Sequence, residues 1–287
     1  MSRVAYVNGQ YLPHGQAVVH VEDRGFQFGD GVYEVFGVTG GRLMDFEGHM
    51  TRLERSLSEL RITPPMGRVA LLGVVRETVR RNRVRNGLAY LQVTRGTARR
   101  DHVFPADGTP ASLVITVKGL NFDKLEATAR SGVAVISYPD IRWGRCDIKT
   151  INLLPNVLAK QAAKERGAAE VVMVDDMGLV TEGGASNVWI VDQDGKLRTR
   201  DVQANILRGI TREGLLAIIA EEGLELDERP FTLDDVKAAR EAFISSATTF
   251  ATPVISLDGT RIGDGKPGPI AMKLRRLYLD QAKRDAI

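Results

Sequence analysis

The chain has 287 residues, 43% of them hydrophobic, 26% charged and 6% aromatic, with a net charge of +3. That balance belongs to a globular protein with a substantial core, and at roughly 150 residues per domain the length points to two domains. Cys146 is the single cysteine, which excludes a disulfide scaffold, no apolar run nears the ~18 residues of a membrane span, and Met1 to His20 lacks the plan of a signal peptide, so a cytoplasmic protein is expected.

The first forty-five residues read as hairpins. Val4 to Val7 leads into Asn8-Gly9, a tight-turn signal, and then into Gln10 to Leu12. Val32 to Val38 is apolar and β-branched, and Gly40-Gly41 returns it through Arg42 to Met44. Phe46, Met50, Leu53, Leu57 and Leu60 recur at three- and four-residue steps and predict a helix, which Pro64-Pro65 stops. A second helix carries Val69, Leu72, Val75 and Val79. Its end holds the densest basic stretch, Arg76, Arg80, Arg81, Arg83 and Arg85. A solvated face with cations near a helix C-terminus explains that stretch better than a nucleic-acid surface does.

Strands are predicted at Leu88 to Thr94 and Ser112 to Lys118, separated by a polar loop with Arg99, Arg100, Asp101 and His102. Gly119 to Lys124 is the expected linker, dividing a small domain (1–118) from a larger one (125–287). Beyond it come a strand at Val133 to Tyr138 and a helix from Pro155 to Arg166, stopped by Gly167. Strands follow at Ala169 to Val174, Leu179 to Thr181 and Val188 to Val191. A helix at Gly209 to Glu222, a strand at Ala242 to Ser245 and a helix from Ile270 to Lys283 complete the pattern. The whole reads as α+β, with mixed sheets and flanking helices in two domains.

Five constellations carry possible chemistry. Lys149 sits in the apolar stretch Ile148-Lys149-Thr150-Ile151-Asn152-Leu153, where desolvation favours a neutral amine of the kind a Schiff-base lysine needs. The alternative is a lysine on the polar side of a short strand, paired with Asp147 or with a Glu elsewhere. Thr181-Glu182-Gly183-Gly184-Ala185-Ser186-Asn187 ends a strand in a carboxylate and opens into small residues. Leu207-Arg208-Gly209-Ile210-Thr211 reads as a helix start, a ready phosphate site. Ser245-Ser246-Ala247-Thr248-Thr249 is a hydroxyl-rich run after a strand. Singly, each is a turn or a cap; together they supply a lysine, an acid and a phosphate cup, the parts a pyridoxal-phosphate site requires. The fifth, Arg100-Asp101-His102, offers a guanidinium fork for a carboxylate. Tyr33 reads as a core tyrosine, Cys146 as a small buried hydrophobe, and His14, His20 and His49 lack metal-ligand spacing.

Nearly end to end, these residues resemble the class IV aminotransferases, which share the fold-type IV pyridoxal-phosphate architecture, and within them the branch that acts on D-amino acids. The likeness is densest at Glu22 to Val35, Gln92 to Thr97, Arg145 to Lys149, Thr181 to Gly183 and Ser186-Asn187. The resemblance implies pyridoxal 5′-phosphate as cofactor and no metal. It places Lys149 on the Schiff-base lysine, Glu182 on the acid facing the pyridine nitrogen and Arg52 on the phosphate arginine. Ile210, Thr211, Ser246 and Ala247 fall on the remaining phosphate contacts, and Leu207 on the support under the ring. Tyr33, Arg100 and His102 fall on the trap for the substrate carboxylate, which in the family draws its Arg and His from the neighbouring subunit of a homodimer. The implied reaction is ping-pong transamination between D-amino acids and 2-oxo acids, of the type D-alanine plus 2-oxoglutarate to pyruvate plus D-glutamate. Two positions depart from the pattern: Ala247 replaces a hydroxyl residue and Ala185 a serine. The rivals of the same fold are branched-chain L-aminotransferase, aminodeoxychorismate lyase and amine transaminase, and Arg100-Asp101-His102 argues against all three. The rival from another class is an Arg-rich binding module without chemistry.

Overall fold

Asn8 and Gly9 adopt φ of 44° and 96°, so the chain reverses there and pairs β1 (Val4–Val7) with β2 (Gln10–Pro13). The computed structural model describes residues 3–202 and 205–287, which fall into two compact units. One comprises residues 1–121, 148–152 and 285–287; the other comprises 122–147 and 153–284. The second unit therefore lacks two stretches that the sequence pattern groups with it, and one of them holds Lys149.

The first unit holds α1 (Arg24–Phe28), β3 (Gly31–Thr39), β4 (Arg42–Leu43), α2 (Phe46–Glu59), α3 (Arg68–Asn82), β5 (Gly87–Thr94) and β6 (Ser112–Gly119). Its sheet runs β2-β1-β6-β5-β3-β4, and every neighbouring pair is antiparallel. Phe46, Met50, Leu53 and Leu57 of α2 bury against Phe36 and Val38 of β3, as their helical spacing requires. With only two residues, β4 pairs Val38 and Thr39 and leaves the start of β3 without a strand on that edge. Residues 148–152 cover it. Thr150 bridges to Val32, Ile151 N donates to Gly31 O at 3.1 Å, and Ile148 enters the core. The C-terminal residue closes the same unit, exchanging backbone bonds of 2.7 and 3.0 Å with Leu43.

The second unit contains α4 (Phe122–Ser131), β7 (Val133–Pro139), α5 (Leu154–Glu165), β8 (Glu170–Val174), β9 (Val180–Gly183), β10 (Asn187–Val191), β11 (Leu197–Thr199), α6 (Ile210–Glu221), β12 (Leu226–Glu228), α7 (Leu233–Ala238), β13 (Glu241–Ser246), β14 (Phe250–Leu257), β15 (Thr260–Arg261) and α8 (Pro269–Asp285). Its sheet order is β12-β11-β10-β13-β14-β7-β8-β9, with β15 on β14; β11/β12, β14/β7 and β7/β8 are parallel and the rest antiparallel. The mixing of strand direction is thus confined to this sheet. Two elements leave little trace in the sequence pattern. Within α4 only Ala129 is buried, so no apolar stripe marks it, and it begins at Phe122 inside the expected linker. Buried β14 contains Pro253, which argues against a central strand, but pairing to β7 begins only at Val254, so no ladder bond on that side is lost. Among the described residues no helix is long and apolar enough to cross a membrane.

Candidate active site

In the first unit, Lys149 is held by its backbone on the edge of β3. Its carbonyl accepts from Tyr33 N at 3.0 Å, and its N–H donates to Ser56 Oγ at 3.3 Å. Buried Ile148 and Thr150 flank it, and its Nζ stands 4.2 Å from the centre of the Tyr33 ring, a cation–π distance. Tyr33 stacks on Tyr90 with centres 5.6 Å apart. Burial and the neighbouring Tyr33 push the Tyr90 hydroxyl up to about 12, so it stays a neutral donor, bonded to Gln92 Oε1 at 2.7 Å. Asp147, the alternative partner weighed for Lys149, accepts from Arg145 at 2.9 and 3.0 Å.

Arg52 lies on the buried face of α2, one turn after His49, and both meet Glu34 of β3. Arg52 Nε and Nη2 donate to the two Glu34 oxygens at 2.7 Å each, and His49 Nδ1 lies 2.7 Å from Oε2. Glu34 is 0% exposed, and burial by itself raises its carboxyl; the charges and hydrogen bonds of Arg52 and His49 overcome this and hold it well below the usual carboxylate range. Glu34→Gln is expected to cost about 3–5 kcal/mol, because it removes the counter-charge of a buried guanidinium. With the folded pKa below the unfolded one, this stability is present above the ordinary glutamate pKa and drains away as pH falls. Thermal melts from about pH 7 to about pH 3.5 should fall more steeply for the natural chain than for the variant.

Arg100 and His102 lie exposed on the loop between β5 and β6 and come together at Phe28. Arg100 Cζ is 4.9 Å from that ring's centre, and the His102 ring centre is 5.5 Å from it.

In the second unit, Glu182 is the next-to-last residue of β9 and is buried. Its carboxylate forms an ion pair with Arg142 and accepts from Asn187 Nδ2 at 3.3 Å and from Leu207 N at 3.2 and 3.3 Å. Arg142 also grips Asp140, with bonds of 2.8 and 2.6 Å. Burial raises the Asp140 carboxyl, yet the bonds from Arg142 and Thr181 bring it below its usual value. The Glu182 carboxylate therefore faces a cation that is itself fixed by Asp140. Asn187 links it onward: Nδ2 also donates to Leu207 O at 3.0 Å, and a Cβ at Gly209 would collide with Asn187 Oδ1. A side chain at that N-cap would have to displace the Asn187 amide. No side chain caps α6, so the amides of Ile210 and Thr211 open its N-terminus as an anion site, while Thr211 Oγ1 turns to Tyr278 Oη at 3.3 Å.

Asn187 pairs in register with Ser245, the first residue of the hydroxyl run. Ser246 Oγ lies 3.0 Å from Thr248 Oγ1 and 2.9 Å from Thr249 Oγ1 and accepts from their amides at 3.4 and 3.2 Å. Ala247 stands half-buried within this turn. The turn ends at Phe250 with φ of 61°, a left-handed conformation that a bulky residue rarely adopts and that marks a constrained segment. Ala185 is exposed between β9 and β10. Cys146 is buried, its thiol pushed up to about 12 chiefly by desolvation, which leaves it inert.

The first unit holds an amine, and the second holds a carboxylate, hydroxyls and an uncapped helix start; each is a donor type that pyridoxal phosphate uses. No group of three or more His, Cys, Asp or Glu is arranged for a metal among the described residues. Sequence reasoning overlooked Glu34, His49 and Arg142. The signal for the first two was a charge or imidazole at a position whose spacing belongs to the core.

The profile of the family described as amino-transferase class IV matches residues 31–257. A D-alanine aminotransferase of Bacillus licheniformis is 41% identical over 268 residues, covering 93% of each chain. A branched-chain aminotransferase of the thermophilic archaeon Thermoproteus uzoniensis, solved with norvaline, has a TM-score of 0.84 at 27% identity, covering 97% of this chain and 94% of its own. A hypothetical aminotransferase of Mycobacterium tuberculosis in a PLP-bound form has a TM-score of 0.84 at 25% identity, covering 98% and 99%.

Proposed function

The chain belongs to the class IV aminotransferases, and from that premise we propose that it is a pyridoxal-phosphate enzyme transferring amino groups between D-amino acids and 2-oxo acids. The reaction type is D-alanine plus 2-oxoglutarate to pyruvate plus D-glutamate. The observation that carries this reading is the near-full-length likeness to proteins named D-alanine aminotransferase. Branched-chain aminotransferases share the fold at lower identity.

Bound pyridoxal phosphate supplies an aldehyde for the substrate amine and a ring that accepts the electrons released at Cα. Lys149 Nζ would hold the cofactor at rest and, once displaced by the substrate amine, would move a proton between the substrate Cα and the cofactor carbon on the far side of that nitrogen. Glu182, set by Arg142, Asn187 and the Leu207 amide, would stabilise a proton on the ring nitrogen, and Leu207 would support the ring. Arg52, the Ile210 and Thr211 amides, Ser246 and the turn at Ala247 hold the phosphate. Tyr33, Arg100 and His102 orient the substrate carboxylate. Release of one 2-oxo acid before the next enters makes the kinetics ping-pong.

A homodimer in the cytoplasm is part of the proposal, with Arg100 and His102 reaching the neighbouring subunit's site. Exposed Val18, Val21, Phe26 and Val103 on the first unit support the first point, and a lone cysteine supports the second. The test of the function is a rate comparison of D- and L-alanine with 2-oxoglutarate as acceptor. Preference for the D-form is expected, and preference for the L-form would overturn the reading.

Glu182→Gln removes the anion that holds the ring nitrogen protonated. Turnover is expected to fall by about a hundredfold with little change in KM, because the interaction strengthens as charge develops. Steady-state kinetics with D-alanine checks it, and an unchanged turnover number contradicts the role.

A further inference from the structure

The loop bearing Arg100 and His102 is exposed, yet α1 pins it. Arg24, 3% exposed, donates from Nη1 to the carbonyl of Asp101 at 2.7 Å, fixing the backbone between the two residues. Arg24 is itself held, its Nε donating to Asp30 Oδ2 at 2.8 Å. Asp30 also accepts from Arg95 at 2.7 and 2.9 Å, and the Arg95 guanidinium lies 3.7 Å from the centre of Phe104, two residues beyond His102.

Phe28, the last residue of α1, completes the arrangement. Its ring centre lies 4.8 Å from Arg24 Cζ, 4.9 Å from Arg100 Cζ and 5.5 Å from the His102 ring centre. The ring's own position is set by the helix end: Gly29, with φ of 67°, donates back to Gly25 O at 3.1 Å. An exposed arginine otherwise samples many rotamers, and holding one of them costs entropy each time a ligand is bound. A ring that attracts the guanidinium by its quadrupole, and packs the imidazole, removes that cost in advance.

We propose that Phe28 is a positioning residue for substrate: its ring holds Arg100 and His102 in the orientation in which they bind the carboxylate, while Arg24 fixes the backbone between them. This rests on the carboxylate role given to Arg100 and His102 above. Phe28 acts through those two side chains, so its removal weakens carboxylate binding and spares the chemical step.

The experiment compares Phe28→Ala, Phe28→Leu, Phe28→Tyr, Arg100→Ala and the Phe28→Ala/Arg100→Ala pair as holoenzymes. The readouts are KM and kcat for D-alanine, the inhibition constant of pyruvate for the aldehyde form, which it cannot aminate, and melting temperature. Phe28→Ala and Phe28→Leu are expected to raise KM and the pyruvate constant about tenfold with kcat within about threefold of the natural chain, while Phe28→Tyr restores both. Phe28→Ala should raise the constants less in the Arg100→Ala background than in the natural chain, because the ring then has only His102 left to place. Should Phe28→Ala lower stability, Phe28→Leu, which keeps the apolar volume, decides. Unchanged constants in Phe28→Leu alongside a raised KM in Arg100→Ala overturn the positioning role alone, as do two effects that simply multiply in the pair. An unchanged KM in Arg100→Ala overturns the carboxylate reading itself, and the positioning role with it.

Discussion

Lys149→Ala is expected to lower D-alanine turnover by about 10⁴-fold or more, since one amine serves both as the cofactor's anchor and as the base that moves the Cα proton. The cofactor should still bind, because the phosphate contacts proposed above do not involve Lys149. The visible absorption of cofactor joined to a lysine should vanish from the variant. The chain holds ten lysines, so sequence position alone is a weak argument for this one. The structure strengthens it: residues 148–151 are strapped to β3 by backbone bonds, which fixes the Cα of Lys149, and its Nζ lies over the Tyr33 ring. Borohydride reduction followed by peptide mapping should label Lys149; a label on another lysine rejects the assignment.

Arg100→Ala is expected to lower kcat/KM for D-alanine by roughly ten- to a hundredfold, the loss of about 1.5–3 kcal/mol for hydrogen bonds to a charged group. Cofactor binding should be intact. The effect is also stereochemical. With Lys149 in its proposed role as the base, the carboxylate anchor would decide which enantiomer turns its hydrogen toward the amine. With the anchor removed, the rate ratio of D- to L-alanine should narrow. Parallel kinetics on both enantiomers read this directly, and a variant with the natural chain's kinetics on each would sink the role.

Local signals determined much of the fold. The Asn8-Gly9 hairpin, the apolar stripe of α2, the Gly167 stop after α5 and the strand–carboxylate–glycine run at Glu182 each depend on residues within a dozen positions, and the sequence pattern marks them all. The motifs at Lys149, Glu182, Gly209 and Ser246 are legible for the same reason: a turn, a helix start or a strand end is a local object. The tertiary structure decided what depends on distant partners. Nothing near Lys149 in the chain says that residues 148–152 fill the edge left open by the two-residue β4, because that open edge is created a hundred residues earlier. Glu34, His49 and Arg52 read as stray polar residues on apolar faces until β3 and α2 pack and bury them against one another. Arg142 becomes the cation of Glu182 only when β7 and β8 bring β9 beside the segment after β7. Buried charge is tolerated only where a partner waits, and the position of that partner is set by packing rather than by neighbours in sequence.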